Sequence, residues 1–424
     1  MNKVHFIGIG GIGVSALAKF YLEKNWQVFG SDACQSRITD DLKKRGAEVS
    51  IGQKEENIKD FDLVVFSPAV KEDNPELKKA KEKGIRTLSY PQALGELTKE
   101  YFTIAVSGTH GKSTTTAMLG LILIKAGLDP TIIVGTKLKE FGDSNYRGGK
   151  SKYLVIEACE HEASFLNYWP QIIVVTNIEA DHLDYYKNLD NVKKSFKEFV
   201  SRLKQDGILV KRDDVEIDFP NTTEFFLKEK ETMDNVLKVP GEHNVLNALA
   251  ALKTARALGI DDKISLSALS QYEGSWRRFE IIELPDFILI DDYAHHPTEI
   301  EATLKAAREK YPDKKIYCVF QPHQYQRTQL LFDDFVSAFK DSISRGLVDK
   351  LMFLDVYDVK GREGSGEERE YDSAKLAKAV RAKRIDAESL RKELEGGEVV
   401  IMMGAGDIYN VSEELKNACI VREN

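Results

Sequence analysis

The chain has 424 residues, of which 42% are hydrophobic and 30% are charged, and its formal net charge is −8. This length predicts two or three domains, and the composition is typical of a folded globular protein rather than a disordered one. The acidic balance excludes a general nucleic-acid binder, and no apolar run has the roughly 18 residues of a membrane-spanning helix. We therefore expect neither nucleic acid nor membrane as a partner, and the sequence leaves the oligomeric state open.

The first residues and the cysteines indicate the compartment. The chain enters an apolar strand at Val4–Ile9 without room for a signal peptide. The cysteines Cys34, Cys159, Cys318 and Cys419 are scattered and form no CxxC pair. This pattern predicts reduced thiols in a cytoplasmic protein.

The first region alternates short apolar strands with helices. After Val4–Ile9 come a glycine loop and a helix, and further apolar runs follow at Gln27–Gly30, Leu63–Phe66 and Ile85–Leu88. Such an alternation predicts a parallel, doubly wound α/β sheet.

The loop after the first strand carries a glycine pattern typical of dinucleotide sites. The residues from Gly8 to Gly13 satisfy GxGxxG, and Asp32 lies at the end of the next strand. Glycines at these positions permit a tight turn and a close approach of the backbone to a diphosphate at a helix N-terminus. The residues predicted to form this nucleotide site are Gly8, Gly10, Gly11, Gly13 and Asp32. On its own, the pattern favours a nicotinamide dehydrogenase.

The second region opens with a stronger phosphate-binding pattern. Strand Phe102–Val106 leads into the loop Ser107–Gly111 and a helix that starts at Lys112. The loop glycines free backbone N–H groups to face phosphate oxygens, Lys112 supplies a positive charge for the β- and γ-phosphates, and the Ser113 hydroxyl is placed to ligate Mg²⁺. A full Walker A loop has glycine where this chain has Val106. Two phosphate loops in two sheets indicate two nucleotide-bearing ligands.

The rest of the chain continues the α/β pattern. Further strands are predicted at Tyr153–Glu157, Ile172–Thr176, Phe287–Ile290, Lys315–Phe320, Lys350–Leu354 and Val399–Met403. The Gly- and Glu-rich segment Lys360–Glu370 is predicted to be a mobile loop. We predict domains at residues 1–98, 99–277 and 278–424. Polar clusters follow the C-terminal ends of the predicted strands, where parallel sheets bind ligands, so a shared cleft is expected.

An ordered series of motifs resembles the Mur ligase family. The loop from Ser107 to Thr115 is similar to the ATP loop of that family, which also lacks the first Walker glycine. The other matching segments are Val155–Glu160, Thr176–Asp184, Gly241–Ala248, Asp291–Glu299, Phe320–His323 and Gly404–Ile408. The resemblance extends over essentially the whole chain. The N-terminal glycine loop and the segments at Asp291 and Phe320 resemble the branch that adds L-alanine to UDP-N-acetylmuramate.

This resemblance implies three α/β domains and an ATP-dependent carboxylate–amine ligase of peptidoglycan precursor synthesis, working through an acyl phosphate. The N-terminal domain is expected to be Rossmann-like and to bind the UDP moiety of UDP-N-acetylmuramate. The central domain is expected to be of the P-loop ATPase type and to bind ATP with Mg²⁺. The C-terminal domain, again Rossmann-like, is expected to bind L-alanine.

The resemblance also implies roles for individual residues. Ser113 and Glu157 are expected to hold one Mg²⁺, and Glu157 with His182 a second. The implied ATP-binding residues are Gly108, Thr109, His110, Gly111, Lys112, Ser113, Thr114, Asn244, Asn247, Arg278 and Asp291.

For the incoming amino acid, the resemblance points to His295, His323 and Arg327. The Arg327 guanidinium is expected to hold the amino-acid carboxylate through two hydrogen bonds. The chain departs here from one common form of the motif, because Gln324 stands where some relatives have an arginine. The residues to which catalysis is assigned are Lys112, Glu157, His182, His295 and Arg327.

Two other functions remain open at this point. A recycling ligase would attach a whole peptide to the same sugar, and a nicotinamide dehydrogenase would use the first glycine loop but leave Lys112, Glu157 and His182 without a task. Lys197 lies on a stretch where some branches of the family carry a modified lysine, and we interpret it as a surface helix lysine.

Overall fold

The computed structural model describes residues 2–233, 235–358 and 369–420. The chain divides into two compact units, Met1–Val236 with Leu246–Tyr272 and Leu237–Val245 with Glu273–Asn424. Among the described residues, the first unit holds two sheets and the second holds one. The predicted loop Lys360–Glu370 lies outside the described residues except for its last two. No helix in these ranges is both long enough and apolar enough to cross a membrane.

The first sheet alternates strands and helices. In chain order its elements are β1 (Lys3–Ile7), α1 (Ile12–Glu23), β2 (Gln27–Asp32), α2 (Arg37–Lys44), β3 (Glu48–Ile51), β4 (Leu63–Phe66), α3 (Pro75–Glu82), β5 (Thr87–Ser89) and α4 (Tyr90–Glu100). The strands are parallel in the order β3-β2-β1-β4-β5. The strand order reverses at β1, and the glycine loop that follows this strand lies where open parallel sheets bind ligands.

The second sheet carries the phosphate loop. Its elements are β6 (Phe102–Ser107), α5 (Lys112–Lys125), β7 (Thr131–Leu138), β8 (Ser144–Arg147), β9 (Tyr153–Glu157), β10 (Ile172–Val175), α6 (Leu183–Tyr186), α7 (Leu189–Val200), β11 (Ile208–Arg212), β12 (Thr222–Phe225), α8 (Glu242–Ala257) and α9 (Asp262–Leu269). The strand order is β12-β11-β10-β6-β9-β7-β8. Because β9 and β10 are the parallel neighbours of β6, the segments that follow these strands border the phosphate loop.

The third sheet forms the second unit. Its elements are β13 (Glu280–Glu283), β14 (Ile288–Asp292), α10 (Pro297–Lys310), β15 (Ile316–Phe320), α11 (Tyr325–Leu330), α12 (Phe332–Ser344), β16 (Lys350–Phe353), α13 (Ser373–Ala379), β17 (Lys383–Arg384), α14 (Ala387–Leu390), β18 (Val399–Met403) and α15 (Ile408–Ile420). The strand order is β13-β14-β18-β15-β16-β17. Alternate side chains of β18 enter two different core clusters, Ile401 on one face and Val400 on the other. Helices cover both faces of such a sheet, which explains its continuous apolar strands.

The predicted α/β fold is confirmed. The strands Tyr153–Glu157 and Val399–Met403 have the predicted bounds. The predicted strands do not include β3, β7, β8, β11, β12, β13 or β17. The edge strands β12 and β17 contain no apolar run and form by pairing with a neighbour, whereas β7 and β11 contain apolar runs that the prediction missed. The second and third sheets each end in an antiparallel strand, β8 and β13. Lys197 is exposed on α7, as predicted.

A buried carboxylate joins several elements of the first sheet. Glu76, at the start of α3, is fully buried. Its Oε2 accepts a hydrogen bond from Ser31 Oγ at 2.5 Å and lies 3.0 Å from His5 Nε2. Its Oε1 accepts from Asn57 Nδ2 at 2.5 Å and from the Lys54 N–H at 3.1 Å. Burial alone would raise the pKa of Glu76, but the bonds from His5, Asn57 and Ser31 outweigh burial and lower this pKa.

Glu76→Ala should lower the free energy of unfolding by about 3–5 kcal/mol, because it leaves buried hydrogen-bonding groups without their acceptor. The carboxylate stabilises the fold at pH above the usual pKa of 4.5, and its contribution is lost as the pH falls through the lowered pKa of the folded state. Urea denaturation at pH 7 and pH 4 measures both effects.

The matched control is Glu82→Ala on the same helix, where Glu82 is 65% exposed and pairs with Lys79. An exposed pair of this kind contributes less than about 1 kcal/mol. Equal losses for the two variants at pH 7 would contradict the role assigned to Glu76.

Candidate active site

The glycine loop between β1 and α1 is held by the end of β2. Gly8 has a φ of +80°, which favours glycine, and its N–H donates to the Ser31 carbonyl at 2.8 Å. The Gly10 N–H donates to Asp32 Oδ2 at 2.8 Å, so the predicted Asp32 lies against the loop. Helix α1 has Gly11 as its N-cap and no side-chain cap. Its first N–H groups are therefore available to an anionic ligand.

The phosphate loop after β6 requires glycine at two positions because of close neighbours. A Cβ at Gly108 would lie 1.9 Å from Thr176 Oγ1, and a Cβ at Gly111 would lie 2.2 Å from Asn247 Oδ1. Gly111 also has a φ of +83°. The loop is thus enclosed by the segment after β10 and by α8, with the Asn247 side chain also accepting a hydrogen bond from Thr115 Oγ1 at 3.2 Å.

The segment after β10 fixes the backbone of the phosphate loop. The His110 N–H donates to Asn177 Oδ1 at 2.9 Å, and Asn177 Nδ2 donates back to the His110 carbonyl at 3.0 Å. Thr109 accepts from the Glu179 N–H through its hydroxyl at 2.9 Å. Ser113, predicted to ligate metal, is buried at the start of α5. The loop therefore has a fixed shape before any nucleotide binds, which lowers the cost of ordering it on binding.

Lys112 lies in this loop beside a buried carboxylate. Its Nζ is 2.9 Å from Glu160 Oε2 and donates to the carbonyls of Gly108 at 2.5 Å and Thr109 at 2.9 Å. Burial opposes the charge on Lys112, but Glu160, Cys159 and Glu157 together outweigh burial and raise the pKa of the amine. Lys112 is therefore a fixed positive charge at the phosphate loop.

Glu157 ends β9, the strand next to the phosphate-loop strand. Its Oε1 accepts a hydrogen bond from the Gly135 N–H at 2.5 Å. A Cβ at Gly135 would lie 2.7 Å from Glu157 Oε2, so a larger residue at position 135 would displace this carboxylate. The half-buried carboxylate is a hard oxygen donor, and with the Ser113 hydroxyl it is chemically suited to Mg²⁺.

His182 precedes α6 and borders the same buried carboxylate as Lys112. His182 has a φ of +52°, and its Nε2 lies 3.8 Å from Glu160 Oε1 and 3.7 Å from Asp181 Oδ2. The ring of His161 packs edge to face on the His182 ring, with centroids 4.6 Å apart. The predicted residues Lys112 and His182 are thus brought together through Glu160.

In the second unit, the ends of β14 and β18 meet at a buried arginine. Arg277 Nε donates to Asp291 Oδ1 at 2.9 Å, and both side chains are 3% exposed. The Arg277 guanidinium also donates to the Gly404 carbonyl. Arg278, the predicted ATP ligand, lies over the Tyr293 ring with its guanidinium carbon 5.0 Å from the centroid. Asp291, predicted to contact the nucleotide, is buried and ion-paired, so its observed partner is Arg277.

Asp292, the residue after Asp291, is a second buried carboxylate at this strand end. It accepts hydrogen bonds from the Phe279 N–H at 2.6 Å and the Ala294 N–H at 2.8 Å. Burial raises its pKa to about 6.

The predicted ATP ligand Asn244 lies on α8, where its Nδ2 donates to the Pro240 carbonyl at 2.7 Å.

The predicted amino-acid ligands follow β14 and β15. The rings of His295 and His323 have centroids 6.0 Å apart, and His323 stacks on Tyr357 at 5.7 Å. His295 Nδ1 lies 3.3 Å from Glu299 Oε2. Arg327 is half-buried on α11, the helix that follows His323. The side chains of His295 and His323, both predicted to bind the amino acid, therefore lie close to each other.

Sequence reasoning missed two residues of these sites. Glu160, which pairs with Lys112, stands three positions after Glu157 in a motif that the sequence identified. Arg277 stands beside Arg278, and it is the former that is buried against Asp291. For Glu160, the available signal was a second acidic residue just after a strand end.

Comparison with known proteins identifies matching family models along the chain. Residues 3–102 match the model described as Mur ligase family, catalytic domain. Residues 106–222 match the Mur ligase middle domain, and residues 277–406 match the Mur ligase, glutamate ligase domain.

Full-length relatives agree with these models. The UDP-N-acetylmuramate–L-alanine ligase of Acetivibrio thermocellus is 43% identical, over 97% of this chain and 95% of the relative. The protein of the same name from Clostridium botulinum is 40% identical, over 97% of both chains. The solved structure of the Thermotoga maritima UDP-N-acetylmuramate–alanine ligase superposes with a TM-score of 0.82 at 28% identity, over 99% of both chains. The resemblance indicated by the motifs is thereby confirmed, and the chain belongs to the Mur ligase family.

Proposed function

We propose that the protein ligates L-alanine to the lactyl carboxylate of UDP-N-acetylmuramate, with conversion of ATP to ADP and phosphate. The observation that carries this proposal is a phosphate loop bordered by the acidic ends of neighbouring strands, in a chain at least 40% identical to two alanine ligases over nearly its whole length. A nicotinamide dehydrogenase would leave Lys112, Glu157 and His182 unused. A peptide-adding ligase is not favoured, because these relatives are alanine ligases.

The reaction needs two steps because a carboxylate is a poor electrophile. A carboxylate oxygen first attacks the γ-phosphorus of ATP, ADP leaves, and an acyl phosphate forms. The alanine amine then attacks the acyl carbon, and phosphate leaves with the carboxylate oxygen that it gained while the amine loses a proton. Phosphoryl transfer depends on positioning and on fixed positive charge rather than on a protein nucleophile.

The phosphate loop and the residues that border it supply most of that positioning for ATP. Lys112 presents a positive charge at the phosphate loop, and the N–H groups of the loop face the phosphates. Ser113 and Glu157 would hold one Mg²⁺ and His182 with Glu157 a second, and the metal when bound would neutralise charge on the transferring phosphoryl group. The other ATP ligands that we propose are Gly108, Thr109, His110, Gly111, Thr114, Asn244, Asn247, Arg278 and Asp291.

Each predicted domain has a proposed substrate. Residues 1–98 bind the UDP moiety through Gly8, Gly10, Gly11 and Gly13, with Asp32 holding the loop. Residues 99–277 bind ATP, and residues 278–424 bind L-alanine through His295, His323 and Arg327. The pathway is peptidoglycan precursor synthesis, and the proposed location is the cytoplasm.

Product formation with a panel of amine donors tests this proposal. The purified protein with UDP-N-acetylmuramate, ATP and Mg²⁺ should release phosphate and form a UDP-sugar heavier by one alanine residue, measured by mass spectrometry. Glycine, L-serine and a muramyl-type peptide are the comparison donors. Ligation of the peptide in preference to alanine, or donor-independent phosphate release, would contradict the proposal.

Arg327→Ala should lower kcat/KM for L-alanine by about 30- to 1000-fold, because a charge-assisted pair with the amino-acid carboxylate is lost. Arg327→Lys should recover only part of this loss, since a point charge does not reproduce two parallel hydrogen bonds. Initial rates at varied alanine concentration give the value, and the KM values for ATP and UDP-N-acetylmuramate should stay within about twofold of wild type.

Arg345→Ala is the matched control for Arg327, because Arg345 is 47% exposed at the end of α12 and pairs with Glu301. This variant should keep the alanine dependence of the wild type. If Arg327→Ala also keeps it, the alanine carboxylate is held by another residue.

A further inference from the structure

Tyr90 is a half-buried tyrosine to which neither the motifs nor the family resemblance assigns a role. It is the first residue of α4, directly after β5. Ser89 caps this helix, accepting from the Gln92 N–H while the Gln92 side chain accepts from the Ser89 N–H. The two-way cap fixes the start of the helix and hence the position of Tyr90.

The Tyr90 ring lies against the first glycine loop. A Cβ built on Gly13, in the first turn of α1, would be 2.8 Å from Tyr90 Cζ and 2.9 Å from its hydroxyl oxygen. At these distances a side chain at position 13 would force the Tyr90 ring to move. The last glycine of the GxGxxG pattern therefore makes space for a phenol in addition to any diphosphate.

The same phenol lies within electrostatic range of the acidic end of β9. Burial first, and then the nearby Glu157 and Cys159, raise the pKa of Tyr90 far above its usual range. The hydroxyl is therefore protonated at physiological pH and is a hydrogen-bond donor. Within residues 2–233, 235–358 and 369–420 it has no hydrogen-bond partner. A partly buried donor without a partner is costly unless a ligand or water accepts its proton.

The contact with Gly13 and the electrostatic influence of Glu157 relate this one donor to both proposed substrate regions of the first unit. The diphosphate of the sugar nucleotide binds at the start of α1, and its carboxylate must reach the phosphoryl group held beside Glu157. Tyr90 lies against the glycine loop at the first end of that path and within electrostatic range of Glu157 at the second. We propose that Tyr90 is a substrate-binding residue whose hydroxyl donates a hydrogen bond to an anionic oxygen of UDP-N-acetylmuramate. This inference rests on the proposed function of the two sites.

Tyr90→Phe removes the hydroxyl and keeps the ring that packs on Gly13. Loss of a hydrogen bond to a charged oxygen should weaken UDP-N-acetylmuramate binding by about 10- to 100-fold. Calorimetric titrations with UDP-N-acetylmuramate, UDP and ATP give the affinities. A loss shared by UDP assigns the acceptor to the diphosphate, whereas a loss confined to UDP-N-acetylmuramate assigns it to the carboxylate. ATP affinity should be unchanged in both cases.

Tyr146→Phe is the matched control, because the Tyr146 hydroxyl already donates to Glu23 Oε2 at 2.8 Å. This variant should lose thermal stability and keep its affinity for the sugar nucleotide. Wild-type affinity in Tyr90→Phe, or equal losses for ATP and the sugar nucleotide together with lower thermal stability, would overturn the proposal for Tyr90. Failure of the wild-type protein to bind UDP-N-acetylmuramate would instead refute the proposed function.

Discussion

Lys112→Ala should reduce ligation by about 1,000-fold or more, because it removes the fixed positive charge at the phosphate loop. UDP-N-acetylmuramate binding should be nearly unchanged, since that substrate's diphosphate is assigned to the separate loop after β1. The measurements are the rate of ADP formation and a calorimetric titration with the sugar nucleotide. Near-normal turnover would show that the charge is not needed for phosphoryl transfer.

The Lys112 variant also leaves Glu160 without its partner, so stability and catalysis must be separated. Glu160 is 3% exposed, and removing one member of a buried pair costs about 3–5 kcal/mol of unfolding free energy. The double variant Lys112→Ala/Glu160→Gln should recover most of that stability, because the remaining side chain is neutral. It should recover none of the activity. Activity that returns with stability would assign Lys112 a structural role only.

Lys125→Ala is the matched control for Lys112. Lys125 is exposed at the other end of α5 and its amine lies 3.3 Å from Gln271 Oε1. The control variant should keep the activity of the wild type, because its charge is far along the helix from the phosphate loop.

Glu157→Gln should reduce kcat by about 100- to 1,000-fold and raise the Mg²⁺ concentration needed for half-maximal rate. The amide keeps the shape of the side chain, and its oxygen still accepts the hydrogen bond from the Gly135 N–H. The loss is therefore one of charge and metal affinity rather than of packing. Initial rates over a Mg²⁺ titration measure both quantities.

Glu198→Gln serves as the control for Glu157, because Glu198 is 52% exposed on α7 and lies 3.6 Å from Arg202. Its Mg²⁺ dependence should match that of the wild type. If Glu157→Gln shows the same unaltered dependence, Glu157 is not a metal ligand in this enzyme.

The sequence predicts well what depends on local pattern. The phosphate loop lies between an apolar strand and an apolar helix, and the structure places it between β6 and α5 as expected. The strand that ends at Glu157 also has the predicted bounds. The phosphate loop and this strand are each formed by residues that are adjacent in the chain. Periodicity and glycine placement are direct signals for such local structures.

Contacts between distant segments could not be predicted in the same way. Glu160 meets Lys112 because β9 and β6 are neighbours in a strand order that the chain does not follow consecutively. Tyr90 contacts Gly13 because α4, which follows the last strand of the first sheet in the chain, packs beside α1. Such pairings depend on sheet order and side-chain packing, so a single sequence can mark Glu160 as a candidate but does not identify its partner.

Transfer of oxygen-18 tests the central claim most directly, namely that the carboxylate is activated by phosphorylation before the amine attacks. UDP-N-acetylmuramate labelled with oxygen-18 in its lactyl carboxylate is turned over with ATP and L-alanine, and the released phosphate is examined by phosphorus NMR. If an acyl phosphate forms, each phosphate carries one oxygen atom from the carboxylate. Phosphate that contains no oxygen-18, together with normal yields of the alanine product, would contradict the account.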